Sequence, residues 1–108
     1  MKKNRHINKV AVIGSGIMGS RIACHFANIG VEVLLLDIVP FDLTEEQLKD
    51  NSIRNSIVND ALKNTLKSKP SPIYSKEFIS RIDTGNLDDD LHKIADVDWI
   101  IEVVVERL

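Results

Sequence analysis

The chain has 108 residues, 44% hydrophobic and 28% charged, with a formal net charge of -2 at pH 7. This length accommodates at most one small domain, and the composition is that of an ordinary globular protein without a membrane span. The charge gives no electrostatic reason to expect nucleic acid or an anionic membrane as a partner. Cys24 is the only cysteine, and the sequence has no cluster of cysteine and histidine with metal-ligand spacing. We therefore expect a cytoplasmic protein, with Cys24 as a small buried side chain and no metal site.

The first third of the sequence predicts a β-α-β unit. Residues 10–13 form a β-branched run of strand length, and residues 17–29 place Ile22, Phe26 and Ile29 at helical spacing before a stop at Gly30. Residues 31–37 (VEVLLLD) are nearly all apolar, as in a strand of a parallel sheet with helices on both faces.

The next segment, residues 40–69, is predicted to be helical. Thr44 and Gln47 have capping-box spacing, and Pro70 and Pro72 follow the segment. Its predicted apolar face consists of Ile53, Ile57, Ala61, Leu62 and Leu66.

The last third predicts two more strands, a weak one over residues 78–84 and an apolar one over residues 97–105. Between them, residues 88–90 are three aspartates that precede Leu91, Ile94 and Ala95, as an acidic helix N-terminus would, which favours a capping role over metal binding. We expect an α/β Rossmann-type doubly wound parallel sheet of about four strands with crossover helices, whose complete order is 3-2-1-4-5-6. Because no terminating helix follows the last strand, residues 1–108 are interpreted as a domain incomplete at its C-terminal end.

Three glycines follow the first strand with the spacing G-x-G-x-x-G, in the stretch VAVIGSGIMGS. The motif alone is weak, but here it follows a strand and opens a helix within a β-α-β unit. Gly14 would allow a tight turn, Gly16 would let the backbone approach a pyrophosphate, and Gly19 would let the helix pack closely on the sheet. The helix N-terminus would then face the phosphates.

Asp37 ends the second strand about 20 residues after the glycines, where a carboxylate binds the adenosine ribose hydroxyls and repels a 2′-phosphate. Ile38 stands where an arginine would serve NADP, so the sequence favours NAD. The alternative to a cofactor site is purely structural: the glycines form a turn, and Asp37 is a solvated residue at the end of a strand. Met18 is predicted to lie beside the cofactor or in the core, and Arg21 either reaches a phosphate or is solvated. His25 is more simply a surface histidine than a catalytic one.

Two segments, KVAVIGSGIMGSRIACHFANIGVEVLLLD and ADVDWIIEVVVERL, together resemble the N-terminal cofactor domain of 3-hydroxyacyl-CoA dehydrogenases. The resemblance implies that the loop after the fourth strand lies under the nicotinamide half of NAD, with Glu106 at the nicotinamide ribose and Val104 and Val105 lining the site. Glu102 is assigned a structural role, and Val103 replaces a frequent alanine. The cofactor contacts expected from motif and resemblance are Gly14, Ser15, Gly16, Ile17, Met18, Gly19, Asp37, Ile38, Val104, Val105 and Glu106.

The resemblance implies oxidation of 3-hydroxyacyl-CoA to 3-oxoacyl-CoA in fatty-acid β-oxidation, with hydride passing to NAD. A histidine oriented by a carboxylate would remove the hydroxyl proton. No residue of the 108 matches that pair, so we expect the base, together with a helical substrate and dimerisation domain, outside these residues. The resemblance implies two partners: an acyl-CoA substrate, and further copies of the full-length protein in a homo-oligomer. Lys67 and Lys69 are candidate contacts for the CoA phosphates, and the simpler alternative is that both are exposed lysines.

Three other classes stay open on the residues alone. One is the β-hydroxyacid dehydrogenase group, which shares the glycine turn, and another is a flavoprotein, which also uses an acidic residue after the second strand. A third is a regulatory module that senses NAD without chemistry, because fold alone does not determine function. Asp37 and the motif around Glu106 favour the 3-hydroxyacyl-CoA dehydrogenases over the β-hydroxyacid group, and the Glu106 motif also favours them over a flavoprotein. The sensor stays open, and a histidine and glutamate with a helical substrate domain beyond Leu108 would distinguish the enzyme from it.

Overall fold

The computed structural model describes residues 8–40, 42–68 and 71–103. Its four strands are β1 (Lys9–Ile13), β2 (Glu32–Asp37), β3 (Ile82–Asn86) and β4 (Trp99–Glu102). They form one parallel sheet in the order β3-β2-β1-β4. This order is the first part of the doubly wound arrangement and confirms the predicted fold class.

Helical segments lie between consecutive strands, as the crossover connections of a parallel sheet require. The α-helices are α1 (Ile17–Asn28), α2 (Glu45–Leu48), α3 (Asn51–Arg54), α4 (Ser56–Leu66) and α5 (Leu87–Asp90), and the 3-10 helices are Lys76–Arg81 and Leu91–Asp96. In the part of the chain that the structure describes, no helix is both long and apolar enough to cross a membrane.

Both faces of the sheet are buried, which explains the nearly unbroken apolar run of β2. On one face Val33 and Leu35 join a cluster that includes residues of α1 and α4. On the other face Leu34 and Leu36 pack with Ala11 and with half-buried residues near β3 and β4. Successive side chains of a strand point to opposite faces, so only a sheet covered on both sides requires consecutive leucines.

α1 packs on the sheet through small residues rather than large ones. Its buried positions are Gly19, Ser20, Ala23, Cys24 and Ala27. Ile22 and Phe26, which the sequence predicts for the apolar face, are only partly buried where they pack against this cluster. The prediction of Ile29 was wrong, because it lies after the helix and is 62% exposed. The helix approaches β1 and β2 too closely for a face of large side chains.

The predicted helix over residues 40–69 is divided into α2, α3 and α4. The capping box of Thr44 and Gln47 is confirmed, since the side chain of each accepts a hydrogen bond from the backbone N–H of the other. Asp50 then caps the N-terminus of α3, because its side chain accepts a hydrogen bond from the N–H of Ser52 at 2.9 Å. Val58, which the predicted apolar face omitted, is the most deeply buried residue of α4. Phe41, Lys69 and Pro70 lie outside the described residues.

The prediction of a third strand over residues 78–84 was wrong at its start. Residues 76–81 form a 3-10 helix, and β3 begins at Ile82, which pairs with Val33. The Ser75 side chain accepts a hydrogen bond from the N–H of Glu77 and so begins a helical turn. Phe78 stays off the sheet, with the guanidinium carbon of Arg81 4.3 Å from its ring centroid.

Of the other two predictions in the last third, one is confirmed and one is shifted in its start. The three aspartates form the acidic first turn of α5, capped by Asn86, and the 3-10 helix Leu91–Asp96 follows them directly. β4 begins at Trp99 rather than at residue 97. The exposed carboxylate of Asp98, just before it, accepts from the N–H groups of Asn8 and Lys9 at 2.8 and 3.1 Å. Pairing extends to Val103, whose N–H donates to the Ile13 carbonyl.

Candidate functional site

The glycine motif forms the link between β1 and α1 at the carboxyl edge of the sheet. Gly14 has φ +103°, a conformation that L side chains rarely adopt, and its N–H donates to the Leu36 carbonyl at 2.8 Å. A Cβ at this position would stand 2.5 Å from the Val103 carbonyl oxygen. The tight turn predicted for Gly14 is therefore required by both backbone conformation and space.

Gly19 and Gly16 have opposite surroundings. A Cβ at Gly19 would overlap the Gly14 carbonyl oxygen, which agrees with the predicted close contact of helix and sheet. A Cβ at Gly16 would meet nothing within 4 Å. Gly16 opens instead into a cavity of about 420 Å³, whose other lining residues are Ile17, Arg21, Ala61, Asn64, Thr65 and Ser68. The backbone at Gly16 is thus accessible to a group that comes close to it.

The N-terminus of α1 makes this cavity suitable for an anion. The N-cap residue is Gly16, so no side chain caps the helix, and its first turn contains no acidic residue. The first N–H groups of a helix have no partner within it and carry the positive end of the helix dipole. An exposed backbone with these properties is a phosphate-binding arrangement.

Asp37 lies beside the same loop and is tied to it. Its Oδ2 accepts hydrogen bonds from the N–H of Ser15, at 2.8 Å, and from the Ser15 hydroxyl. Its Oδ1 accepts from the N–H of Ile38 at 2.7 Å. A carboxylate has about four lone-pair sites, so these three donors leave about one, on Oδ1, for a ligand hydroxyl.

Ser15 is fully buried, and its side chain is directed at Asp37 rather than at the cavity of Gly16. Its carbonyl oxygen accepts from the hydroxyl and the N–H of Ser20, in the first turn of α1. Ser15 was predicted as a direct cofactor contact, and its bond to Asp37 was not foreseen. The two residues are 22 positions apart, so no local pattern signals the pairing.

A further cavity, of about 480 Å³, begins at Ile38, the residue after Asp37, and its lining also includes Asp42 and Asp88. Ile38, Val39, Pro40 and Leu87 contribute apolar surface to it. Sequence reasoning found Ile38 but missed the other three. Leu87 follows β3, and the rule that parallel strands bring their carboxyl ends to one edge could have placed it here.

The exposed side of α1 carries the other residues predicted near the cofactor. Ile17 and Met18 are 77% and 66% exposed, so the alternative of Met18 in the core was wrong. Both line an open apolar groove with Arg21, Ile22 and His25. Nη2 of Arg21 lies 3.5 Å from Oγ of Ser68 across the mouth of the Gly16 cavity.

The remaining predicted site residues are not brought together by the described structure. Val104, Val105 and Glu106 lie outside the described residues. Glu102 is exposed at the end of β4, opposite Ile13. Lys67 is exposed after α4, at a separate surface cavity.

Three titratable side chains, Cys24, Asp89 and Asp90, have pKa values shifted by their surroundings. Burial raises the pKa of the Cys24 thiol, against a smaller lowering by Arg21, and Cys24 is a buried core residue as predicted. The Arg54 guanidinium, with help from Asn86, lowers the pKa of the Asp89 carboxyl. Burial acts to raise the pKa of Asp90, but Lys93 and the N–H of Asn86 outweigh it and lower that pKa overall.

Within residues 8–40, 42–68 and 71–103, no three His, Cys, Asp or Glu side chains form a group able to hold a metal ion.

The parallel sheet, the glycine loop, the uncapped helix and the strand-end aspartate define a dinucleotide-binding α/β domain of the Rossmann type. The chain belongs to the family described as 3-hydroxyacyl-CoA dehydrogenase, NAD binding domain, whose family model matches residues 9–108. NAD is the cofactor of this family of domains.

Named relatives agree with this family. The chain is 54% identical, over 97% of its length, to a probable 3-hydroxyacyl-CoA dehydrogenase of Bacillus subtilis. It is 33% identical, over 98% of its length, to the fatty acid oxidation complex subunit alpha of Psychrobacter arcticus. The chain spans only 14% and 13% of these two curated relatives.

A solved structure of similar fold is 3-hydroxybutyryl-CoA dehydrogenase from Escherichia coli. The TM-score is 0.55 at 28% sequence identity, and the match covers 95% of this chain and 20% of that one. Sequence and structural comparisons thus agree on one family.

Proposed function

We propose that residues 1–108 are the NAD-binding part of an enzyme that oxidises 3-hydroxyacyl-CoA to 3-oxoacyl-CoA in fatty-acid oxidation. The observation that carries the proposal is the pairing of an open backbone at Gly16 with a strand-end carboxylate at Asp37, in a chain of this family. NAD, when bound, accepts the hydride from the substrate's carbinol carbon. The residues of this chain bind and orient it.

The adenosine and pyrophosphate parts of NAD each have a matching group in the described structure. The N-terminus of α1 at Gly16 suits the pyrophosphate, and Asp37 Oδ1 suits a ribose hydroxyl. The apolar cavity of Val39, Pro40 and Leu87 suits the adenine ring. These features support Gly14, Ser15, Gly16, Ile17, Met18, Gly19, Asp37 and Ile38 as the adenosine and pyrophosphate side of the site.

The nicotinamide side and the catalytic base are proposed from the resemblance. Glu106, with Val104 and Val105, would contact the nicotinamide ribose region. The base that takes the substrate hydroxyl proton, a histidine held by a carboxylate, would come from chain outside these 108 residues, as would a helical domain that binds acyl-CoA. The length of the relatives supports this division. We further propose a cytoplasmic homo-oligomer as the full-length protein.

The test follows NADH absorbance with a 3-hydroxyacyl-CoA and NAD, or with acetoacetyl-CoA and NADH. The full-length protein is expected to turn over both, and residues 1–108 alone are expected to turn over neither. Turnover by residues 1–108 would place the base within them. A full-length protein that binds NAD without turnover would favour a sensor over an enzyme.

A further inference from the structure

The carboxylate that the proposed function assigns to the adenosine ribose is held by a side chain from the glycine loop. Asp37 Oδ2 receives both donors of Ser15, its N–H and its hydroxyl. The N–H is present whatever residue stands at position 15, whereas the hydroxyl belongs to serine alone. The sequence therefore has a specific group at the middle position of G-x-G whose only described contact is the acidic residue.

The two oxygens of Asp37 are used differently. Oδ2 is occupied by Ser15, and Oδ1 accepts only from the N–H of Ile38, at 2.7 Å. The Ser15 hydroxyl therefore reinforces the backbone bond that keeps Oδ2 on the loop and leaves Oδ1 available to a ligand. Without it, the carboxylate keeps two backbone donors but loses the one that comes from a buried side chain.

We propose that Ser15 is a positioning residue for cofactor selection, which holds Asp37 so that Oδ1 is presented to the adenosine ribose of NAD. The inference rests on the proposed function, because it takes Asp37 as the ribose contact. Hydrogen bonds to charged groups have strong directional preferences, so a carboxylate held at one oxygen is oriented at the other. The same orientation keeps its negative charge where the 2′-phosphate of NADP would lie.

A matched control exists one helical turn away. Ser20 is also fully buried, and its hydroxyl also donates to the loop, but to the Ser15 carbonyl and not to Asp37. Ser15→Ala removes one buried hydroxyl from the loop, and Ser20→Ala removes one from the first turn of α1, which contacts that loop. A general loss of loop packing would affect NAD and NADP alike in both variants.

The experiment measures Kd for NAD and for NADP in the full-length protein, with the variants Ser15→Ala, Ser20→Ala, Asp37→Ala and the double variant Ser15→Ala/Asp37→Ala. Ser15→Ala is expected to weaken NAD about tenfold, the lower end for loss of a hydrogen bond to a charged group, and to narrow the preference over NADP. Ser20→Ala is expected to leave the ratio of the two Kd values unchanged. In the Asp37→Ala background, Ser15→Ala is expected to have no further effect on that ratio.

The outcomes separate this inference from the proposed function. If Asp37→Ala leaves NAD affinity unchanged, the ribose contact itself is wrong. If Asp37→Ala weakens NAD but Ser15→Ala adds the same loss with and without Asp37, Ser15 acts independently and the positioning role is wrong. Tighter NAD binding in Ser15→Ala would show that the hydroxyl competes with the ribose, which also overturns it. If Ser15→Ala does not fold, Ser15→Gly removes the same hydroxyl, with the same expected ratio.

Discussion

Two acidic clusters lie at the carboxyl edge of the sheet, one after β2 and one after β3, and their partners differ in kind. Asp37 is held by the backbone N–H groups of Ser15 and Ile38 and by the Ser15 hydroxyl. Asp89 instead accepts two hydrogen bonds from the Arg54 guanidinium, both at 2.8 Å, and one from the Asn86 amide at 3.0 Å. One carboxylate has neutral partners, and the other is neutralised by a cation.

The difference decides which cluster is able to bind a ligand. Asp37 keeps a free acceptor position close to the cavity that begins at Ile38. Asp89 is paired with Arg54, and the buried Asn86 connects the pair to Asn55 at the start of α4. The cluster after β3 is therefore a brace between the sheet and the helices, whereas the carboxylate after β2 has an acceptor position left for a ligand. An acidic residue at the right edge binds a ligand only where the fold leaves its oxygens available.

The largest effect is expected from Gly19→Ala, which should disrupt the glycine loop beside Asp37. The new methyl group would overlap the Gly14 carbonyl oxygen, so α1 or the loop must move. We expect the free energy of unfolding to fall by about 2 kcal/mol or more and NAD binding to be lost. Urea unfolding and NAD titration measure the two effects. Gly16→Ala is the control for the unfolding measurement, because its methyl group meets no atom within 4 Å. A Gly19→Ala protein with unchanged stability would contradict the close contact.

Gly16→Val is expected to separate binding from stability. The side chain would project into the open space where the pyrophosphate is proposed to lie, so NAD affinity should fall about 100-fold or more. The fold should be retained, with a much smaller loss of stability than in Gly19→Ala. Isothermal titration and thermal unfolding test this. Unchanged NAD affinity would mean that the cofactor lies elsewhere.

Asp37→Ala and Asp89→Ala compare the two clusters directly. Loss of Asp37 should weaken NAD about tenfold and narrow its preference over NADP, because the ribose acceptor and the repulsion of the 2′-phosphate disappear together. Loss of Asp89 should leave both affinities unchanged and lower the melting temperature. Equal or tighter NADP binding by the unmodified protein would remove the argument from Asp37. A change of selectivity in Asp89→Ala would show that the brace takes part in binding.

The smallest effect is expected in the dependence of stability on acid pH. The pKa of Asp89 is lowered in the folded protein, so its contribution to stability is complete above its ordinary value of 3.8. That contribution is lost as the pH falls below 3.8 through the folded-state pKa. The melting temperature of Asp89→Asn should therefore fall less steeply below pH 4 than that of the unmodified protein. Parallel curves would show that the Arg54 pair does not couple to folding.

Much of the fold could be predicted because its signals are local. The glycine spacing, the apolar run of β2 and the stop at Gly30 all concern backbone conformation or burial within a few residues, and each agreed with the structure. The start of β3 was wrong because Phe78 and Ile79 have strand propensity, while Ser75 starts a helical turn before them. Propensity of single residues is weak against a cap and the register of a neighbouring strand.

By itself, the sequence determined the class of the domain and the positions of its glycines and strand-end aspartate, because these follow from steric rules of the chain. Only the tertiary structure decided that Ser15 faces Asp37, that Leu87 lies beside it, and that Asp89 is paired with Arg54. These pairs join residues that are distant along the chain, and parallel strands alone bring them to one edge. Whether a carboxylate binds a ligand or braces the fold depends on which partners arrive there, and no local pattern carries that information.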